Sequence, residues 1–221
     1  MTSTDFLNYY WHQYIMLEKE FLATEQYVKI DPANYKTFSD AYAKLLLQIG
    51  SEIDVAAKML CQIIDSTFNG DKIDCYRDIL SANTDFLSTE IAVLNRSIVL
   101  KPWERWITAS TNKPNPFWWT AYNKVKHQRT DTVEIDGISQ DSFRFANLEY
   151  TMNALAGLYQ VDMYAYYLLS NAESLKRNVP LPGSRLFNPS GTIWDNMDFP
   201  FDFALTIDNG CLIMESSDFA Y

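Results

Sequence analysis

Apolar side chains recur at steps of three and four along most of the first 170 residues, the period of one face of an α-helix. Phe6, Tyr10, Tyr14, Leu17, Phe21 and Val28 mark the first stripe. Ser3 or Thr4 supplies its N-cap, and Asp31-Pro32 closes it, because proline disfavours a helical residue before it. A second stripe, Tyr42, Leu45, Ile49, Ile53, Ala56, Leu60 and Ile63, predicts a long helix from about residue 34 to Asn69-Gly70, where a left-handed C-cap is natural. A shorter helical stretch, KIDCYRDILSA, follows.

The period then lapses. EIAVLNRSIVLKPWERWITASTNKPNP contains Pro102, Pro114 and Pro116 and predicts an irregular connector over 86–114, whose Trp103 and Trp106 must pack on the body. Asn115 as cap and Pro116 in the first turn restart a helix through NPFWWTAYNKVKHQR, ending at Arg129. TDTVEIDGISQ reads as a turn. Leu148, Met152, Leu155, Tyr159, Met163 and Tyr166 then form one face of the longest apolar helix, and Ala154, Leu158, Val161 and Leu168 form a second. A helix apolar on two sides belongs at the centre of a bundle. From Val179 the texture becomes proline-rich, and Asn209-Gly210 between apolar runs predicts a two-residue hairpin. The expected fold is therefore all-α: a four-helix-bundle-like core over 1–175, and an extended C-terminal appendage over 176–221 containing a short β-hairpin.

Composition agrees with a packed body. The chain has 221 residues, 48% hydrophobic and 21% charged, enough to bury a core without disulfides or metal. Cys61, Cys75 and Cys211 are odd in number and contain no CxxC, so neither a disulfide framework nor a cysteine zinc site is indicated, and a reducing cytoplasm fits. The first twenty residues lack a cationic start and a continuous apolar run, so no secretory signal is expected. The most apolar window, ALAGLYQVDMYAYYLL, is interrupted by Gln160 and Asp162 and is too short to span a bilayer, so no membrane partner is expected.

Charge changes the picture more. The net charge of −10 repels polyanions in general, yet Arg96 to Arg129 holds seven cations against Glu104 alone, leaving that stretch at +6 and the rest of the chain at −16. No cation follows Arg185.

Several chemistries are excluded by motif. The seven glycines never cluster into a dinucleotide or phosphate loop, no Gly-x-Ser-x-Gly elbow exists, and the only histidines are His12 and His127. No cofactor and no metal are indicated. What remains is the helix after Pro116. At about 100° per residue, Trp118, Tyr122, Val125 and Arg129 share the docking face, while Asn123 and His127 lie together on another, flanked by Lys124 and Lys126. An imidazole beside an amide and two ammonium groups could act as acid or base on a phosphodiester held by the cations. The plainer reading is that His127 is a polar helix residue. Glu52 and Asp54 on the second helix are candidate supporting carboxylates, which would orient His127 or satisfy Arg129 if the bundle brought them together.

WWTAYNKVKHQR, with SEIDVAAKMLC upstream and FANLEYTMNALAGL downstream, resembles bacterial and mobile-element proteins of the HEPN superfamily of small helical domains, over about residues 5 to 170. The resemblance implies a helical bundle, often a homodimer, and in many members a metal-independent ribonuclease of toxin or phage-defence systems. The family signature is Arg followed four to six residues later by His, frequently Arg-Asn-x-x-x-His. Asn123 and His127 match its last part, whereas Tyr122 stands where the Arg belongs. Lys126, Arg129 or Arg96 would then have to stabilise phosphorane charge. Two functions stay open: a ribonuclease or RNA- or nucleotide-binding protein using His127, Asn123, Lys124, Lys126, Arg129 and Arg96, and a non-catalytic module that engages a partner protein in a defence, anti-defence or mobile-element setting.

Overall fold

The computed structural model describes residues 1–107, 114–175, 178–191 and 193–194, and the backbone of 203–208 and 211–216. Helix accounts for 58% and strand for 11%, so the chain is mostly helical with small antiparallel sheets rather than all-α. The helices are α1 (Ser3–Phe6), α2 (His12–Ala23), α3 (Asp40–Ile64), α4 (Ile73–Leu80), α5 (Thr84–Ser88), α6 (Phe117–His127) and α7 (Leu148–Ala172). The strands are β1 (Glu90–Val93), β2 (Ile98–Leu100), β3 (Thr132–Ile135), β4 (Ile138–Asp141), β5 (Phe187–Ser190), β6 (Phe203–Asp208) and β7 (Cys211–Ser216).

The N-cap of α1 is Thr2, one residue ahead of the predicted pair, because Thr2 and Asp5 close a reciprocal capping box with bonds of 3.1 and 3.0 Å. A π-helical turn, Leu7–Trp11, joins α1 to α2, with the His12 amide donating to the Leu7 carbonyl. That turn steps the buried face by five residues, from Phe6 to Trp11, before Tyr14, Leu17 and Phe21 resume the ordinary spacing. Tyr10, predicted on the stripe, is thereby moved to its edge.

α3 starts at Asp40, where the Ser39 side chain accepts from the Tyr42 amide at 3.1 Å; the residues around Pro32 form only a 3-10 turn. It packs along α7, which carries twenty buried residues and is the central element the two-faced pattern predicted. α6 crosses both. A Cβ at Gly50 of α3 would overlap the Tyr122 ring, and one at Gly157 of α7 would lie 3.0 Å from the Trp118 ring, so each long helix opens a notch for one aromatic of α6.

The described part of the connector, 86–107, is more ordered than its sequence pattern indicates, and 108–113 lie outside the described residues. β1 and β2 pair antiparallel with Ile91 opposite Leu100, and β5 adds to the other edge of β1 with Glu90 opposite Ser190. Ile91, Val93, Ile98, Leu100 and Phe187 turn into the core, so the sheet is anchored by a period-two pattern too short to stand out in the sequence. Trp103 and Trp106 pack at 4.5 Å between ring centroids; Trp103 meets Trp118 edge-on at 5.0 Å, and its indole donates to the Gly157 carbonyl at 3.3 Å. The predicted turn after α6 is a hairpin, β3–β4, with Asp136 and Gly137 both at positive φ as a tight primed turn requires.

Residues 178–191 and 193–194 lie on the body. The Glu18 carboxylate, 2% exposed on α2, accepts from the Tyr14 hydroxyl at 2.7 Å, from the Arg185 and Leu186 amides at 3.0 and 3.2 Å, and from Ser184. β6 and β7 form a separate antiparallel pair with Asp208 opposite Cys211. Among the described residues no helix is long and apolar enough to cross a membrane.

The two notches generate a stability prediction. Gly50→Ala is expected to cost roughly 1–3 kcal/mol in urea unfolding, because the Tyr122 ring must move, and Gly157→Ala less, because its Trp118 contact is looser. Equal midpoints for both variants and the parent would show that α6 is not held in these notches.

Candidate functional site

α6 turns its aromatic side inward as expected: Trp118, Trp119, Tyr122 and Val125 are buried. Its N-cap is Pro116 rather than Asn115. Asn115 instead has a buried side-chain oxygen without a partner, while its carbonyl accepts from Arg105 at 3.3 Å. The helix stops at His127, two residues short of the predicted end, so Arg129 leaves the docking face and is exposed in the following turn.

On the other side of α6 the predicted constellation is only partly assembled. Asn123 donates to the Trp119 carbonyl one turn back on its own helix at 3.0 Å, so that hydrogen bond does not orient His127. His127 is exposed and has no hydrogen-bond partner among the described residues. Lys124 reaches Gln128 at 2.8 Å, and Lys126 reaches the Tyr122 hydroxyl at 3.1 Å with its ammonium 5.3 Å from that ring's centroid. Cations in the last turn offset the partial negative charge of the helix end, which gives Lys124 and Lys126 a structural role of their own.

The remaining predicted residues are engaged elsewhere. Arg96 pairs with Glu25 at 2.5 Å and donates to the Leu94 carbonyl at 2.9 Å. The Tyr76 hydroxyl bonds Asp54. Glu52, expected beside a neighbouring helix, interacts with Tyr10 and Asp162, and neither carboxylate is bonded to His127. Among the described residues no group of three or more His, Cys, Asp and Glu side chains could hold a metal ion.

A different grouping surrounds Glu52. The π turn and α3 enclose an open groove of about 510 Å³, lined by Asp5, Tyr9, Tyr10, Gln13, Glu52 and Val55 together with Met1. Tyr9 is 74% and Val55 51% exposed, so apolar surface stands open beside a carboxylate. Tyr10 stacks on Phe6 at 5.8 Å between centroids. Behind the groove, Asp162 of α7 is 1% exposed and neither of its oxygens has a hydrogen-bond partner. It lies among the rings of α7 that meet the N-terminal helix: Tyr159, 5.4 Å from Tyr14, and Tyr166, 5.9 Å from Phe6. Burial, and then the charge of Glu52, push the Asp162 carboxyl well above its ordinary range; burial also raises Glu52, and Tyr10 is raised by burial and by both acids.

The sequence signals for this grouping were Tyr9-Tyr10 ahead of Trp11 and an aspartate inside an apolar helix. Neither reveals a groove without the π turn. No family model, curated protein or solved structure matches the chain.

Asp162 carries a pH dependence. The folded protein holds its proton more tightly than the unfolded chain does, so its contribution to stability is full below the ordinary carboxyl value of 3.8 and is lost as pH rises from there towards the raised folded value. Asp162→Asn removes that loss. Unfolding free energies of parent and variant are expected to diverge in the variant's favour as pH rises above about 4, by up to roughly 1.4 kcal/mol per pH unit within the titrating window. A parent-variant difference that stays constant across this range would show that Asp162 is ionised in the fold.

Proposed function

We propose that this chain is a HEPN-like, non-catalytic binding module, built on a four-helix-bundle-like core, that engages a partner protein in a defence, anti-defence or mobile-element setting. The observation that carries the reading is the state of His127. Its ring is exposed at a helix end, Asn123 is bonded back to the helix, and Tyr122, in the place of the family's arginine, is buried against Gly50. General acid or base catalysis needs a second group to orient the imidazole and cations to hold phosphate; Asn123 is bonded to its own helix, and two of the candidate cations are engaged elsewhere. Arg96 is paired with Glu25, and Lys126 lies over Tyr122. The exposed aromatic and aliphatic surface at Tyr9 and Val55 is, by contrast, what a protein-binding surface offers.

The competing reading, a ribonuclease or RNA-binding protein using His127, has one feature in its favour. Lys124, Lys126, His127 and Arg129 stand at one end of α6 with no carboxylate bonded to them among the described residues.

Incubation with labelled single-stranded RNA in EDTA separates the two. The parent and His127→Ala are both expected to leave the RNA intact, with no salt-sensitive RNA affinity. Cleavage that disappears in His127→Ala would overturn the proposal in favour of a nuclease, and RNA binding weakened by Lys124→Ala would replace the protein partner with RNA.

A further inference from the structure

We infer that the groove between Tyr9, Tyr10 and Glu52 receives a lysine or arginine side chain from an extended segment of a partner protein. The inference rests on the binding-module reading and specifies its ligand.

The charge of the groove selects the occupant. Its charged side chains are Asp5, which is held by the Thr2 amide and lies in the field of the Met1 α-ammonium, and Glu52; no lysine, arginine or histidine side chain lines it. Glu52 is half-buried and has no ion-pair partner among the described residues, whereas Glu18, Glu25, Glu90 and Glu149 are all hydrogen-bonded or paired. A carboxylate drawn out of water without a cation is costly, and a cation entering from a ligand removes that cost. Asp162, buried behind the groove without a hydrogen-bond partner, offers Glu52 no counter-charge.

Shape selects the same class. Tyr9 and Val55 flank the opening with apolar surface suited to a methylene stem, while the tyrosine rings favour a cation at their faces. An acidic ligand would be repelled, and a purely apolar one would desolvate Glu52 further without pairing it. The π turn contributes the geometry, since an ordinary helix would turn Tyr10 inward with Phe6 and Tyr14 and leave the groove one wall short.

The test uses two labelled peptides of equal length and apolar content, one bearing lysines and the other glutamates at the same positions, titrated with the full chain by fluorescence anisotropy. The lysine peptide is expected to bind and the glutamate peptide not. Glu52→Gln and Tyr9→Ala are each expected to weaken binding about tenfold, while Glu134→Gln, an exposed acid on β3, leaves it unchanged. Equal affinity for the two peptides, absence of lysine-peptide binding, or an equal effect of Glu134→Gln and Glu52→Gln would overturn the inference. Its failure is separable from failure of the module reading. A protein that cleaves RNA through His127 sinks the module whatever the peptide does, and an RNA-inert protein that ignores the lysine peptide sinks only the groove assignment.

Discussion

The close approach of α6 to the two longest helices constrains everything else. Gly50 and Gly157 are the places where α3 and α7 lack side chains, and Tyr122 and Trp118 occupy the space. Interiors packed to crystal density do not tolerate a methyl group where a ring already sits, so the rotational setting of α6 is fixed. Once those rings turn inward, Asn123 and His127 must face outward, and the connector tryptophans close over Trp118 through Trp103. The imidazole is therefore presented to solvent by a packing requirement, while the Asn123 amide stays bonded to its own helix.

A buried cost accompanies the N-terminal helix in the same way. The five-residue step at Leu7–Trp11 buries Trp11, whose indole donates to the Pro182 carbonyl at 2.8 Å, and so couples the helix to the segment returning from α7. Glu18 reinforces that coupling by gathering hydroxyl and amide donors from Tyr14, Ser184, Arg185 and Leu186, which is how a buried carboxylate is accommodated. Asp162, on the facing helix, has no such donors. Two buried acids close to the same helix thus have opposite standing: Glu18 ties structure together, and Asp162 is left without a partner, its burial favouring the protonated form. Residues that break the rule of satisfied burial mark where a fold has kept something other than stability.

By itself the sequence determined the helical class, the identity of the long helices, the central place of α7, and the antiparallel pairing of the two runs that flank Asn209-Gly210. These follow from local rules, period and capping, which operate within a few residues of chain. The inward face of α6 was legible for the same reason, and so was the exposed position of His127.

Only the tertiary structure decided the rest. β1 is ordered by β2 and by β5, nearly a hundred residues later in the chain, and four-residue strands carry too little pattern to announce such a pairing. Arg96 was free to serve any site until Glu25 came within 2.5 Å, Asp54 could have reached His127 until Tyr76 claimed it, and Glu52 was placed beside Tyr10 in the groove instead. The groove depends on a π turn whose sequence, LNYYW, satisfies an ordinary helix equally well. Which residues meet across elements is set by packing over the whole body, and no local period encodes it.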